Sequence, residues 1–77
     1  MTVYFCRYKY IPDSGLFVVA PTRGKAKGLF AAETDSQYIL IESQIVKRSV
    51  FADCPHVINR GDPDLERYGL EYEEAGR

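Results

Sequence analysis

The chain opens on a strict alternation. From Thr2 to Tyr10, Tyr4, Cys6, Tyr8 and Tyr10 fall on one side, and Val3, Phe5, Arg7 and Lys9 on the other. Aromatic and β-branched residues at period two predict a strand. Ile11-Pro12-Asp13-Ser14-Gly15 is turn chemistry: proline presets φ, aspartate bonds to nearby backbone and glycine supplies positive φ. A second run, Leu16–Ala20, then predicts an antiparallel hairpin with a loop of about five residues. Pro21 stops that strand because it has no N–H to give.

At Pro21 the period changes from two to 3.6. Thr22 suits a helix N-cap, and Ala26, Leu29 and Phe30 form one apolar stripe, so a helix is expected over Arg23–Glu33. Gly24 and Gly28 weaken it unless close packing uses their missing side chains. Thr34–Gln37 is a polar connection. Tyr38–Arg48 is the most β-branched stretch and predicts a third strand. Ser49–Arg60 has no period and reads as irregular chain. Gly61-Asp62-Pro63-Asp64-Leu65 starts a short helix, with Asp62 as N-cap and Pro63 in the first turn. Glu73–Arg77 reads as a frayed end.

The order is ββαβ plus a helical turn, an α+β fold. A right-handed crossover through the helix makes the third strand parallel to the second. With the first strand between them, the result is a three-stranded antiparallel sheet of order 2-1-3, with the helix on one face. Tyr4, Cys6, Tyr8, Val18, Ile39 and Ile41 are expected beneath the helix. The other face carries Val3, Phe5, Phe17, Val19 and Leu40 at an apolar end, and Arg7, Lys9, Glu42 and Gln44 at a polar one. The 77 residues read as a single domain, with a core over 1–48 and a wrapping segment over 49–77. So short a chain buries a modest fraction of its surface, which makes a partner or a homodimer attractive.

Charge adds asymmetry to this picture. The net charge is −1, but residues 1–30 carry +4, residues 31–61 carry −1 and residues 62–77 carry −4. No apolar run is long enough for a signal peptide or a membrane span, so the expectation is a cytoplasmic protein without a membrane partner. Cys6 and Cys54 are then expected as free thiols.

Candidate chemistry is sparse. Arg23, Lys25 and Lys27 stand at the positive end of a helix dipole, where cations are disfavoured and anions attracted. The stretch departs from the phosphate-loop pattern, because Gly24-Lys25 is followed by Ala26. The trio reads either as a solvated basic face met by Glu71, Glu73 and Glu74, or as a contact for an external anionic surface. On the open sheet face, Phe5, Phe17, Tyr38 and Leu40 beside Arg7 and Lys9 read in three ways. The C-terminal segment, with Leu65, Tyr68, Leu70 and Tyr72, covers them; a protein partner does; or nucleic acid stacks there. Cys54-Pro55-His56 with Cys6 falls short of the four ligands and paired spacing of structural zinc. No metal, cofactor or catalytic residue is assigned, and the chain is not read as an enzyme.

The hairpin, Thr22-Arg23-Gly24-Lys25-Ala26-Lys27 opening a helix, the apolar strand, and Gly61-Asp62-Pro63-Asp64-Leu65-Glu66-Arg67-Tyr68-Gly69-Leu70 together resemble small uncharacterised proteins of bacteriophages and integrated mobile elements. The resemblance spans most of the chain and brings no catalytic residues. It implies a setting in which small proteins bind and block host or phage machinery, anti-CRISPR proteins among them. The functional expectation is a non-enzymatic inhibitor or modulator that binds a protein; the alternative is a nucleic-acid-binding module.

Overall fold

The computed structural model describes residues 1–34 and 40–72, leaving aside the side chains of Pro12 and Asp13. Its elements are β1 (Thr2–Tyr8), β2 (Ile11–Ala20), α1 (Arg23–Thr34), β3 (Ile41–Lys47), β4 (His56–Ile58) and α2 (Asp64–Arg67). The architecture is α+β, and every strand pair is antiparallel. The expected order 2-1-3 is present but incomplete. The sheet has four strands in the order β3-β1-β2-β4, because part of the segment expected to be irregular pairs with β2. His56, Val57 and Ile58 lie opposite Val19, Val18 and Phe17.

The hairpin also differs from expectation. Tyr8 pairs with Ile11 across a two-residue turn at Lys9 and Tyr10. The extra residues form an irregularity inside β2 instead: from Cys6↔Leu16 to Tyr8↔Ile11, β2 advances five residues while β1 advances two. The Ser14 hydroxyl holds this excursion. It accepts the Tyr8 N–H (2.9 Å) and donates to the Ile11 carbonyl (2.6 Å). The ring of Phe5 lies where a Cβ at position 15 would be, which is why Gly15 sits there.

α1 begins as the sequence requires. The Thr22 hydroxyl accepts the Lys25 N–H (3.2 Å), and the Thr22 carbonyl accepts the Ala26 N–H (3.0 Å). Ala26 and Phe30 are buried, and Leu29 is half-buried. They cover Tyr4, Cys6, Tyr8, Val18 and Ala20, with Leu16, Ile41 and Val57 packed around the edge. Phe30 meets the Tyr8 ring at 4.9 Å. At the helix end the Thr34 hydroxyl donates to the Phe30 carbonyl and also meets the Tyr8 hydroxyl, tying α1 to β1. Ile39, expected in this core, lies outside the described residues, as do Tyr38 and the connection over 35–37.

The opposite face is closed by the C-terminal segment. Val3, Phe17, Val19, Val50, Ile58 and Tyr68 are buried together, with Phe5, Leu65, Leu70 and Tyr72 packed against them. The chain reaches this face by first pairing with the N-terminus: the Val50 N–H donates to the Met1 carbonyl, and the Met1 amine to the Val50 carbonyl. α2 follows one residue later than expected. Pro63 is its N-cap position, while the Asp62 carboxylate accepts the Asp64 N–H (2.9 Å). Gly69, at φ 69°, ends α2 in a Schellman arrangement, with Leu70 N–H on the Leu65 carbonyl and Gly69 N–H on the Glu66 carbonyl. That turn aims Leu70 and Tyr72 back at the sheet.

Candidate functional site

The C-terminal segment covers Phe17 and packs against Phe5, the apolar end of the expected sheet surface. Phe17 is 7% exposed, with the Tyr72 ring at 4.6 Å. Phe5 is half-buried and meets Phe17 edge-on at 5.3 Å. The polar end is partly occupied by its own contacts. Arg7 pairs with Glu42 across the strands at 3.0 Å, and the Lys9 ammonium stands over the Tyr10 ring. Leu40 remains open at 64% exposure. Among the described residues, therefore, the Phe17 ring is met by Tyr72.

Tyr72 is held by more than its ring. Its hydroxyl accepts the Phe17 N–H (2.7 Å) and donates to the Ile58 carbonyl (2.6 Å). Phe17 and Ile58 are register partners, so the hydroxyl stands between β2 and β4 where their ladder ends. The Arg60 guanidinium lies over the ring at 4.5 Å. Burial pushes the phenol pKa up, Phe17 N–H and Arg60 pull it down, and Asp62 adds a smaller upward push.

The basic start of α1 stands beside the open edge of β3. Arg23 donates to the Ser43 carbonyl at 3.0 Å. The direction of that carbonyl follows from the ladder. Lys9 N–H donates to the Leu40 carbonyl, so Lys9/Leu40 is a hydrogen-bonded pair. Antiparallel pairing alternates, and the register runs unbroken through Tyr8↔Ile41, Cys6↔Ser43 and Tyr4↔Ile45. The N–H and C=O groups of Ile41, Ser43 and Ile45 accordingly point away from β1, to the sheet edge. Arg23 caps one of them. Among the described residues, no carboxylate pairs with Arg23, Lys25 or Lys27. Of the tail acids expected to meet them, Glu71 pairs with none of the three, and Glu73 and Glu74 lie outside the described residues. Lys27 and Arg23 also act on Cys6 under the helix: burial raises its thiol to about 11, and the two cations oppose the rise.

The edge carries apolar surface as well. Ile45 is 38% and Val46 42% exposed, and Phe51, further along the chain, is 88% exposed. Val46 is the extra residue where the β1–β3 register shifts, between Val3↔Lys47 and Tyr4↔Ile45. Phe51 lines an open cleft with Lys47, Val50, Asp53, Arg67 and Tyr68, and the Lys47 ammonium is committed there to the Tyr68 carbonyl (3.1 Å).

The sequence reading missed Ile45, Val46 and Phe51 as surface. For the first two a signal existed, because order 2-1-3 already makes the third strand an edge. Phe51 stands in a stretch without period.

Cysteine and histidine are placed apart. Cys6 is buried beneath α1, while Cys54 is exposed before β4. His56 has Nδ1 on the Cys54 carbonyl and Nε2 on Asp64, each at 2.9 Å, which clasps β4 to α2. No three His, Cys, Asp or Glu side chains among the described residues group as metal ligands. No described helix is long and apolar enough to cross a membrane. No family model, curated protein or solved structure matches the chain.

Proposed function

We propose that this chain is a small non-enzymatic interaction protein that binds a protein partner through the β3 side of its sheet. The observation that carries this reading is the conjunction at that side. Leu40, Ile45 and Val46 are exposed along the sheet's edge strand, whose outer side pairs with no strand among the described residues, and Arg23 from the basic start of α1 caps it at the Ser43 carbonyl. Exposed apolar side chains rimmed by charge are the composition of a protein contact surface. With the resemblance to small phage and mobile-element proteins, the role proposed is inhibitor or modulator of a host or phage component.

Nucleic acid is the alternative reading, favoured by the basic trio alone. Salt separates the two. Nucleic-acid binding weakens steeply as counterions compete, whereas a contact built on Leu40 and Val46 weakens less. The test is affinity capture from host lysate, with and without nuclease, using wild type and the Leu40→Asp/Val46→Asp variant. A captured protein that survives nuclease and is lost with the variant is the expected result. Capture that depends on nucleic acid, or ignores the variant, overturns the reading.

A further inference from the structure

We infer that the β3 edge takes an extended, acidic segment of another protein as a fifth strand, with Arg23 as the displaceable cap of that edge; this rests on the protein-partner reading above.

The geometry of the edge is the first argument. Ile41, Ser43 and Ile45 present main-chain donors and acceptors at strand spacing, away from β1. That alternation matches another polypeptide backbone and nothing in a phosphodiester chain. β3 has seven residues and no proline, and its bulge at Val46 lies beyond Ile41, Ser43 and Ile45. Among the described residues, the side chain that caps its outer edge comes from another element, the Arg23 guanidinium on the Ser43 carbonyl.

Charge decides the occupant. A second copy is the first alternative. Outward-facing groups lie only on alternate residues, so the fullest two-fold pairing centres on Ser43 and sets Ile41 against Ile45. That centre is where Arg23 sits, so the two-fold would bring both Arg23 side chains together and both basic helix starts close. Like charges at a pairing centre are destabilising. The same cations favour an incoming strand with carboxylates on its helix-side face. Arg23 then exchanges a neutral carbonyl for a charge-assisted bond to carboxylate, which is the stronger bond. Lys27, one helical turn from Arg23 and acting with it on Cys6 opposite Ser43, has no carboxylate partner among the described residues and extends that field.

The probe is a short blocked peptide alternating Glu and Val, with a Lys–Val peptide and single-stranded DNA as controls. Binding is read by anisotropy, and its place by amide exchange. The expected result is binding of the Glu–Val peptide alone, weakened by salt, with new protection of the Ile41, Ser43 and Ile45 amides. Ile45→Pro removes an outward N–H and leaves the β1 ladder intact, so it should weaken binding at least about tenfold. Arg23→Gln/Lys25→Gln/Lys27→Gln, three surface changes that leave the core alone, should weaken it several-fold and flatten the salt dependence. Several results overturn the inference. These are no binding of the Glu–Val peptide at about 1 mM, equal binding of the Lys–Val peptide, protection elsewhere, or an unaffected triple variant. Sedimentation showing a dimer that Ile45→Pro dissociates assigns the edge to a second copy, and tighter binding of DNA assigns the cations to nucleic acid; either also overturns it. If lysate capture succeeds and Ile45→Pro captures the same protein as well as wild type, strand addition fails while the partner reading stands. If lysate capture fails, the partner reading itself falls.

Discussion

Removing the Tyr72 hydroxyl should cost far more than a surface tyrosine warrants. In Tyr72→Phe the ring stays against Phe17, but two main-chain groups lose their partner at once: the Phe17 N–H and the Ile58 carbonyl. Phe17 is 7% exposed and Ile58 fully buried, so water reaches neither group freely. Each buried group left unsatisfied costs about 1–3 kcal/mol, which puts the variant about 2–6 kcal/mol below wild type. In a domain of this size that lowers the melting temperature by roughly 10 °C or more. Thermal melts and urea titrations of the two proteins measure the loss, and amide exchange should show Phe17 N–H losing protection first. The phenol supplies an independent check. Its pKa is raised on folding, so its contribution is complete below the unfolded value of 10.0 and disappears as pH rises through the folded value. Wild type should therefore lose stability above pH 10.0 more steeply than Tyr72→Phe. A variant within about 0.5 kcal/mol of wild type, with Phe17 still protected, would refute the placement of Tyr72 between β2 and β4.

Other consequences are briefer. Phe30→Ala removes a fully buried ring from between α1 and Tyr8 and should cost about 3–5 kcal/mol; an unchanged melt would mean α1 faces the other way. Gly24→Ala and Gly28→Ala should each stabilise by up to about 1 kcal/mol, since nothing lies within 4 Å of a Cβ at either position; destabilisation in melts would show a contact there. Native protein should be alkylated quickly at Cys54 and only on unfolding at Cys6, as mass mapping would record. The Cys6 thiol rises from 9.0 to about 11 on folding, so its stabilising share is intact below 9.0 and is lost as pH climbs toward 11. The slope is about 1.4 kcal/mol per pH unit, and Cys6→Ala should flatten it. An equal slope in that variant would assign the alkaline loss elsewhere.

Much of this fold is legible wherever a local rule and a tertiary contact agree. Thr22 caps α1 as its chemistry demands, and the Tyr4, Cys6, Tyr8 side of β1 faces the helix as alternation requires. The failures have physical causes. Pro12–Gly15 carries turn signals, yet Ser14 uses its hydroxyl to stabilise an irregularity within β2, and the chain reverses at Lys9 and Tyr10 instead. β4 is three residues long, too short to display a period, and exists because β2 offers it a free edge. Closure of the second face is the largest gap. It depends on Gly69 turning the chain and on the Tyr72 hydroxyl finding two main-chain partners, and sequence spacing does not show either. Leu65, Tyr68, Leu70 and Tyr72 were nonetheless readable as candidates for that cover. The edge beside Arg23 was partly legible as a cation cluster opposed to the helix dipole, but the carbonyl it caps was not.

On the proposed reading, that cluster ties stability to function. Cations at a helix N-terminus cost a few tenths of a kcal/mol each, so a chain selected for stability alone would place acids there. Arg23 has a compensating task, because it caps a main-chain carbonyl on an edge long enough to pair with a neighbour. Lys25 and Lys27 have no such task among the described residues. The two edges of the sheet show the contrast. β4 is protected by brevity and by its clasp to α2 through His56 and Asp64, and neither device depends on net charge. β3 is protected by positive charge, a device that repels one class of neighbour and recruits another. An edge guarded in that way discriminates between occupants, whereas a short or proline-blocked edge refuses all of them. On the strand-addition proposal, the energetic penalty at the start of α1 is the cost of selectivity at β3. Neutralising the trio with glutamine should leave the melting temperature equal or slightly higher while the preference for acidic strands disappears. A drop in stability with that preference intact would return the cluster to the fold and leave β3 an ordinary edge.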